Sequence, residues 1–172
     1  MTAPTMHVIG FDVSLSRTGW AALTYEHGEL VGAHTIPTDA TMPLPARLDV
    51  IDQAVRAAIS TFDRRGGVDV AIESGFMARS GSVTRKLAMA WGVAVLAMWQ
   101  RTGGIQPHEV APNEVKKLAT GRGDAKKDAV MEAAVARWGE QANDPDIADA
   151  AWVAEHCRLF MHAKFPDPEE TP

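Results

Sequence analysis

Cysteine is nearly absent from this 172-residue sequence, and Cys157 is the only one. A single cysteine excludes an internal disulfide framework and a cysteine-based zinc site. Long apolar runs are also missing: the best candidate, Leu87 to Met98, is shorter than the ~18 residues that a membrane span needs. The first residues show no basic region followed by an apolar stretch, which predicts no signal peptide. These absences favour a reducing cytoplasm and no membrane partner.

The composition is that of a folded protein. Hydrophobic residues make up 46% of the sequence and charged residues 23%, which excludes a disordered chain. A length of 172 residues fits one domain and leaves little room for a second. We therefore expect a single domain over residues 1–165 and a disordered acidic tail over residues 166–172.

Charge is distributed unevenly along the sequence. The net charge is −5, but residues 1–78 carry −4, residues 79–127 carry +6 and residues 128–172 carry −7. A basic middle segment could meet phosphates while acidic residues elsewhere hold a metal ion. A mixed, solvated surface would give the same counts, so charge alone does not establish a nucleic-acid partner.

Apolar periodicity predicts an α/β layered domain. Three strands form an antiparallel meander with a hairpin at Gly28, and the right-handed crossover rule makes the fourth and fifth strands parallel to the first. Pro107 places the fifth strand at an edge. Asp124 is predicted to cap the fourth helix, and Asp144 followed by Pro145 to begin the fifth. The predicted strands cover residues 6–11, 19–25, 30–36, 68–74 and 105–110, and the predicted helices cover about residues 48–62, 82–100, 112–120, 125–138 and 145–163.

Two carboxylates directly follow apolar strands. Asp12 comes after residues 8–11, and Glu73 comes after residues 70–72. Because the carboxyl ends of neighbouring parallel strands meet at the same edge of a sheet, we expect these two side chains to lie close together. A carboxylate in that position is costly unless it is paired, exposed or bound to a metal.

A second pair of carboxylates lies near the start of the last predicted helix. Asp146 and Asp149 are three residues apart and therefore share one helix face. Ala148, Ala150 and Ala151 are small enough to let this helix approach the sheet closely. Helix capping and the helix dipole would explain the pair without any site, so the pair alone is not decisive.

Four carboxylates without a histidine or cysteine cluster suit a hard cation such as Mg²⁺ or Mn²⁺. Two such ions ~4 Å apart activate a water and stabilise the leaving oxygen in phosphodiester cleavage. Each acid has a simpler explanation by itself, such as a solvated strand end for Glu73. Together they indicate one metal site, because all of them are expected at the same edge of the sheet.

Four segments occur in an order and spacing that identify a family. They are IGFDVSLSRTGWA, VAIESGFMARSGSVTRKLAMAWGVAVLA, APNEVKKLATGRGDAKKDAV and DIADAAWVAEH. Over about residues 7–160 the sequence resembles the RuvC family of Holliday-junction resolvases. The resemblance implies a ribonuclease H-like fold, with a five-stranded mixed sheet covered by helices on both faces.

The resemblance also implies an activity. Members of the family are metal-dependent endonucleases that cleave four-way and other branched DNA junctions by two-metal-ion hydrolysis. The implied cofactor is Mg²⁺, with two ions per active site and Mn²⁺ as a substitute. The catalytic and metal-binding roles are implied for the four residues selected above, Asp12, Glu73, Asp146 and Asp149.

DNA contacts are implied for the loop after the strand glutamate and for the basic segment. Phe76 matches a family aromatic residue that meets bases near the crossover, and Lys116 and Lys127 best match family lysines that meet phosphates near the cut. The alternative for Phe76 is an aromatic residue packed on the core, and the alternative for the lysines is a position on solvated helix faces. The full set of implied DNA-binding residues is Phe76, Arg79, Lys116, Lys117, Lys126 and Lys127.

The first motif departs from the family pattern. Val13 and Ser14 stand where many members carry proline and glycine after the aspartate. Ser14, Ser16 and Gly19 are still able to form a tight turn there. The acidic net charge is also unusual for a resolvase, and nothing in the sequence indicates whether a branch-migration motor is a partner.

Symmetric cleavage of a four-way junction takes two active sites, and the family is dimeric. The long helix after residue 82 carries Leu87, Trp91, Val95 and Met98 at steps of four, four and three, and other positions on it are apolar as well. A helix that is apolar on more than one side is buried on two sides. We expect a two-fold homodimer through this helix, with Trp91 or Trp99 near its centre.

Two other functions are considered. A phosphotransferase of the actin-like ATPase superfamily also has a phosphate loop after a strand, as in residues 12–19, but this chain is short for a two-domain cleft and shows no second glycine-rich phosphate loop. A nucleic-acid-binding module without catalysis would not need acids at all four positions.

Overall fold

A five-stranded mixed sheet forms the centre of the computed structural model, which describes residues 6–63, 67–74 and 81–165. The strands lie in the order β3-β2-β1-β4-β5. The first three pair antiparallel, whereas β1, β4 and β5 pair parallel, so the predicted meander and parallel strands are confirmed. The strands are β1 (His7–Val13), β2 (Arg17–Thr24), β3 (Leu30–Pro37), β4 (Val68–Glu73) and β5 (His108–Val110).

Helices cover both faces of this sheet, as predicted. Two of them, α1 (Leu44–Asp63) and α2 (Gly81–Arg101), pack on one face, and the other three, α3 (Pro112–Thr120), α4 (Lys127–Trp138) and α5 (Pro145–Lys164), pack on the opposite face. Each face has its own apolar cluster, because side chains of successive strand residues point to opposite sides. No helix within the described residues has both the length and the apolar character of a membrane span.

Two local predictions are corrected by the structure, and a third is confirmed. The strand predicted over residues 105–110 is shorter, since β5 begins after Pro107, which has no N–H to donate to the sheet. Asp124 does not cap α4, because Lys126 holds the N-cap position and Asp124 instead pairs with Arg122 at 3.1 Å. Asp144 does cap α5, and its Oδ1 accepts hydrogen bonds from the backbone N–H groups of Asp146 (2.9 Å) and Ile147 (3.3 Å).

Glycines in the sheet let α5 pack directly against the strands. A Cβ atom on Gly10 would lie 2.1 Å from the carbonyl oxygen of Ala150, and one on Gly19 would lie 2.3 Å from the carbonyl oxygen of Asp146. Contacts this short are impossible for any other residue without movement of the helix. Since Gly19 pairs with Asp12 across β1 and β2, this packing carries the first turn of α5 to the carboxyl end of β1.

Candidate active site

Asp12 and Glu73 lie beside each other at the carboxyl ends of β1 and β4. The two strands are parallel neighbours in which Phe11 is paired with Ile72, so the next residue on each strand is one of these carboxylates. Both side chains point to the face covered by α5, because they alternate with residues of the opposite apolar cluster. The structure thus joins two residues that are 61 positions apart in the sequence.

The first turns of α5 add Asp146 and Asp149 to this edge of the sheet. Their side chains are 15% and 19% exposed. The ammonium group of Lys127, at the start of α4, lies between them, with Nζ 3.4 Å from Asp146 Oδ1 and 3.1 Å from Asp149 Oδ2. All four carboxylates selected from the sequence are therefore brought together, with one lysine inserted among them.

The carboxylates disfavour one another's ionisation. Burial, followed by repulsion from Glu73 and Asp149, raises the pKa of Asp12 from 3.8 to about 8. Burial, followed by repulsion from Asp149, raises the pKa of Glu73 from 4.5 to about 7. Burial also raises the pKa of Asp149, although Lys127 opposes the shift. Ionisation of all these carboxyl groups together is therefore unfavourable, even with Lys127 beside them.

An arginine network, not predicted from the sequence, fixes the start of α5. Arg17 at the beginning of β2 reaches Asp144 Oδ2 with Nη2 at 2.6 Å and Asp146 Oδ2 with Nε at 2.8 Å. The hydroxyl of Thr35 on β3 donates to Asp144 Oδ1 at 3.2 Å. Burial raises the pKa of Asp144, but hydrogen bonds from the backbone N–H groups of Asp146 and Ile147, together with Arg17, outweigh burial and lower it. Two strands thereby hold the cap of α5 and, through Arg17, the carboxylate of Asp146.

The departure from the family's proline-glycine turn is accommodated by Ser14. Its hydroxyl donates to the carbonyl of Arg17 at 2.6 Å and accepts from the backbone N–H of Arg17 at 3.1 Å. Thr18 closes the same turn by donating its hydroxyl to the carbonyl of Ser14 at 3.2 Å. The serine turn therefore sets the position from which Arg17 reaches α5.

The predicted DNA-binding residues fall into three groups. Lys116 and Lys127 are near the acids: the charges of both lysines act to lower the pKa values of Glu73 and Asp149. Lys117 on α3 and Lys126 at the N-cap of α4 are the sequence neighbours of these two lysines, and both are exposed. Phe76 and Arg79 lie outside the described residues.

A cavity of about 430 Å³ opens beside Asp12 and Glu73. Its far wall is the inner side of α2, where the indole N–H of Trp91 donates to the carbonyl of Glu73 at 3.1 Å. Glu109 on β5 also lines this cavity, and no pattern in the sequence predicts a fifth acid here. The bond made by Trp91 anchors α2 to the end of β4 and turns this residue inward.

The residues at this edge fit a hard divalent cation by their chemistry. Within residues 6–63, 67–74 and 81–165, no three His, Cys, Asp or Glu side chains are already arranged around a metal position. The donor set is nevertheless all oxygen, and a bound cation would favour ionisation of Asp12 and Glu73, which burial and then neighbouring carboxylates oppose. Lys127 already provides part of that neutralisation for Asp146 and Asp149.

Comparison with known proteins gives a consistent result. The family model described as "Crossover junction endodeoxyribonuclease RuvC" matches residues 8–156. A protein of that name from Nitrobacter hamburgensis is 36% identical over 153 residues, which is 88% of this chain and 86% of its own. Another, from Bradyrhizobium diazoefficiens, is 35% identical over 154 residues, with 87% and 84% covered. The solved structure of Thermus thermophilus RuvC in complex with a Holliday junction substrate matches with a TM-score of 0.74 at 23% identity, over 90% of this chain and 96% of that one, which shows a shared fold.

Proposed function

The chain belongs to the RuvC family of crossover junction endodeoxyribonucleases, whose fold is ribonuclease H-like, and we propose that it is a metal-dependent, structure-selective endonuclease. Its reaction is hydrolysis of phosphodiester bonds at four-way or other branched DNA junctions. The observation that carries the proposal is the convergence of Asp12, Glu73, Asp146 and Asp149 at one edge of the sheet, where they interact electrostatically. Because its substrate is DNA, we infer that the enzyme acts in the cytoplasm.

These four carboxylates are the groups that would hold Mg²⁺, with two ions per site and Mn²⁺ as a substitute. Cations bound there activate the attacking water and stabilise the leaving oxygen of the phosphodiester. Asp12 and Glu73 are presented by strand ends, and Asp146 and Asp149 by a helix that packs without side chains between it and Gly10. The chain therefore supplies its ligands from rigid elements, which fixes their positions before substrate arrives.

Basic residues around the acids would bind the DNA backbone. Lys116 and Lys127 are close enough to the acidic edge to contact the phosphates flanking the cut, and Lys117 and Lys126 extend this surface along α3 and α4. Lysine contacts of this kind position the duplex and make binding depend on salt, without reading sequence. Residues 75–80, which the sequence predicts to form a loop, would supply Phe76 and Arg79 for contacts near the crossover.

Homodimer formation through α2 is part of the proposal. The outer face of α2 has exposed apolar side chains at Met89 (42%), Leu96 (53%) and Trp99 (46%), and Gly92 continues the same stripe. An added Cβ on Gly92 would meet nothing within 4 Å, so a second helix has room to approach closely. Because Trp91 points toward Glu73, Trp99 is the tryptophan we expect near the two-fold axis.

The phosphotransferase hypothesis is not pursued, because the family match extends through the phosphate-loop-like segment 12–19 and over most of the chain. A module that binds junctions without cutting them would gain nothing from four crowded carboxylates, whose burial is costly. These two hypotheses predict different products from ours, and one assay detects the difference.

The test is a cleavage assay on a labelled synthetic four-way junction, with a linear duplex of the same sequence as the control. We expect paired cuts in opposite strands of the junction with Mg²⁺, no cuts with EDTA, and little cutting of the duplex. Glu73→Gln should abolish cleavage and keep junction binding, whereas Glu132→Gln, on the exposed side of α4, should cut as the wild type does. ATP hydrolysis without cleavage would favour the phosphotransferase, and binding without either would favour the non-catalytic module.

A further inference from the structure

Lys127 makes an ion pair that occupies the acidic site. Its Nζ lies 3.1 Å from Asp149 Oδ2 and 3.4 Å from Asp146 Oδ1, while 52% of the lysine side chain is exposed. Within the described parts of the chain it is the one cation paired with both carboxylates, and Asp149 has no other ion-pair partner there. A lysine side chain is an ammonium ion at neutral pH, and these two contacts hold its charge within the site.

An ammonium ion in this position competes with a divalent cation for the same oxygens. Mg²⁺ binds carboxylate oxygens at 2.0–2.1 Å and demands near-octahedral geometry. A lysine ammonium about 3 Å from one oxygen of each aspartate blocks that approach and adds a repulsive charge. Arg17 already holds Oδ2 of Asp146, so a cation that takes Oδ1 of Asp146 as a ligand has to displace Lys127 from it.

Arg17, the other cation paired with Asp146, has a different role. Its guanidinium is fixed on one side by Asp144, which caps α5 and also accepts from Thr35. Lys127 has no comparable anchor among the described residues, where the ion pairs of its ammonium group join it only to the two aspartates. A flexible four-carbon stem lets lysine reorient where a braced arginine does not.

We propose that Lys127 is a displaceable counter-cation, which pairs with Asp146 and Asp149 before a divalent cation binds and with a DNA phosphate afterwards. The inference rests on the proposed function, because it takes these carboxylates as metal ligands. It makes cation binding and junction binding cooperative, since each favours the state in which Lys127 has left the aspartates. The same lysine thus keeps the free protein from holding cations tightly and strengthens DNA binding once they are present.

The first test measures Mn²⁺ binding to the DNA-free protein. Electron paramagnetic resonance quantifies the Mn²⁺ that remains free. Lys127→Gln should lower the Mn²⁺ dissociation constant by about tenfold, within the usual range for coupled sites. Lys116→Gln is the matched control, because Lys116 influences the same carboxylates through its charge but has no ion pair with them. The change in the logarithm of the Mn²⁺ dissociation constant should be less than half as large for Lys116→Gln as for Lys127→Gln.

Several outcomes would overturn the proposal. Unchanged or weaker Mn²⁺ binding in Lys127→Gln would show that the lysine does not compete, and an equal gain in Lys116→Gln would reduce the effect to general charge. Thermal melts of both variants establish that the fold is intact. Failure of the wild-type protein to bind Mn²⁺ would instead remove the proposed function itself, so the two failures are distinguishable.

The second test follows the ammonium group directly by NMR of protein labelled with ¹⁵N-lysine. Lys127→Gln identifies its Nζ signal, which should be protected from exchange in the metal-free protein and lose that protection on saturation with Mg²⁺. Mg²⁺ should also tighten junction binding by the wild type about tenfold more than by Lys127→Gln. A protected Nζ signal that persists in saturating Mg²⁺ would contradict displacement.

Discussion

Asp12 is the group through which the proposed metal binding and the folding stability are most directly connected. Burial and its acidic neighbours raise its pKa to about 8 in the folded protein, against 3.8 for an ordinary aspartate. A carboxyl with a raised folded-state pKa binds its proton more tightly when folded, so the free energy of unfolding falls as pH rises from about 3.8 to about 8. Asp12→Asn keeps the shape of the side chain and removes this pH-dependent fall in the free energy of unfolding.

The size of the effect follows from the pKa difference. One unit corresponds to about 1.4 kcal/mol, so the interval between 3.8 and pH 7 gives an upper bound of about 4 kcal/mol. Asp12 is only partly buried, and Lys127 and water screen its charge, so we expect roughly half of this bound, about 2 kcal/mol. For a chain of 172 residues, this predicts a melting temperature about 4–8 °C higher than that of the wild type.

Thermal unfolding in EDTA at pH 5.5 and 7.5 measures this difference. Asp12→Asn should melt above the wild type at pH 7.5 and by a smaller margin at pH 5.5, and Mg²⁺ should stabilise the wild type more than the variant. Asp63→Asn, at the exposed end of α1, is the control for loss of an aspartate charge and should change little. A variant that melts at or below the wild-type temperature at pH 7.5 would refute the reasoning.

Four further predictions concern packing, assembly and DNA. Gly10→Ala should destabilise the fold by about 3 kcal/mol and weaken Mn²⁺ binding, because the new methyl group collides with α5; unchanged melting would contradict the close packing. Leu96→Glu should turn a dimer into a monomer in light scattering, and a wild-type monomer at micromolar concentration, free and on a junction, would remove the α2 interface. Lys116→Ala should lower the salt slope of junction binding by about one, and an unchanged slope would mean a solvated side chain. Phe76→Ala should lose activity on intact junctions and recover part of it on nicked ones, whereas equal losses with a lower melting temperature would assign Phe76 to the core.

The part of the site on the strands could be predicted because it depends on local patterns and chain topology. An apolar run followed by an acid identifies the strand end at Asp12 and again at Glu73. The crossover rule predicts that those strands are parallel, which the register of β1 and β4 confirms, and the structure shows that they are also neighbours. Small residues on the last helix likewise predicted its close approach to the sheet. The structure confirms this approach, because Gly10 and Ala150 leave no space for side chains between them.

Long-range pairs of charged side chains could not be predicted in this way. Arg17 reaches Asp144, 127 residues away, only because the Ser14 turn points it there. Lys127 contacts acids that periodicity assigns to a different helix. A long side chain on a surface has many rotamers, and the choice among them depends on partners that the sequence does not identify.

The apolar helix α2 shows a second limit. Its periodicity indicated two apolar sides but not which one faces the sheet. In the structure Ala90, Ala94 and Met98 are buried, while Leu96 and Trp99 on the other side are exposed. The pattern of apolar and polar residues predicts how many faces of α2 are covered. Which of these faces meets the sheet is determined only by packing against α1 and the strands.

Anomalous diffraction from a crystal of the protein with a junction and Mn²⁺ tests the central claim most directly. We expect two Mn²⁺ peaks ~4 Å apart at the carboxyl ends of β1 and β4. Asp12, Glu73, Asp146 and Asp149 should be their ligands, and the Lys127 ammonium should have moved to a phosphate. Mn²⁺ peaks elsewhere on the protein, or none at this edge while Lys127 stays on Asp146 and Asp149, would contradict it.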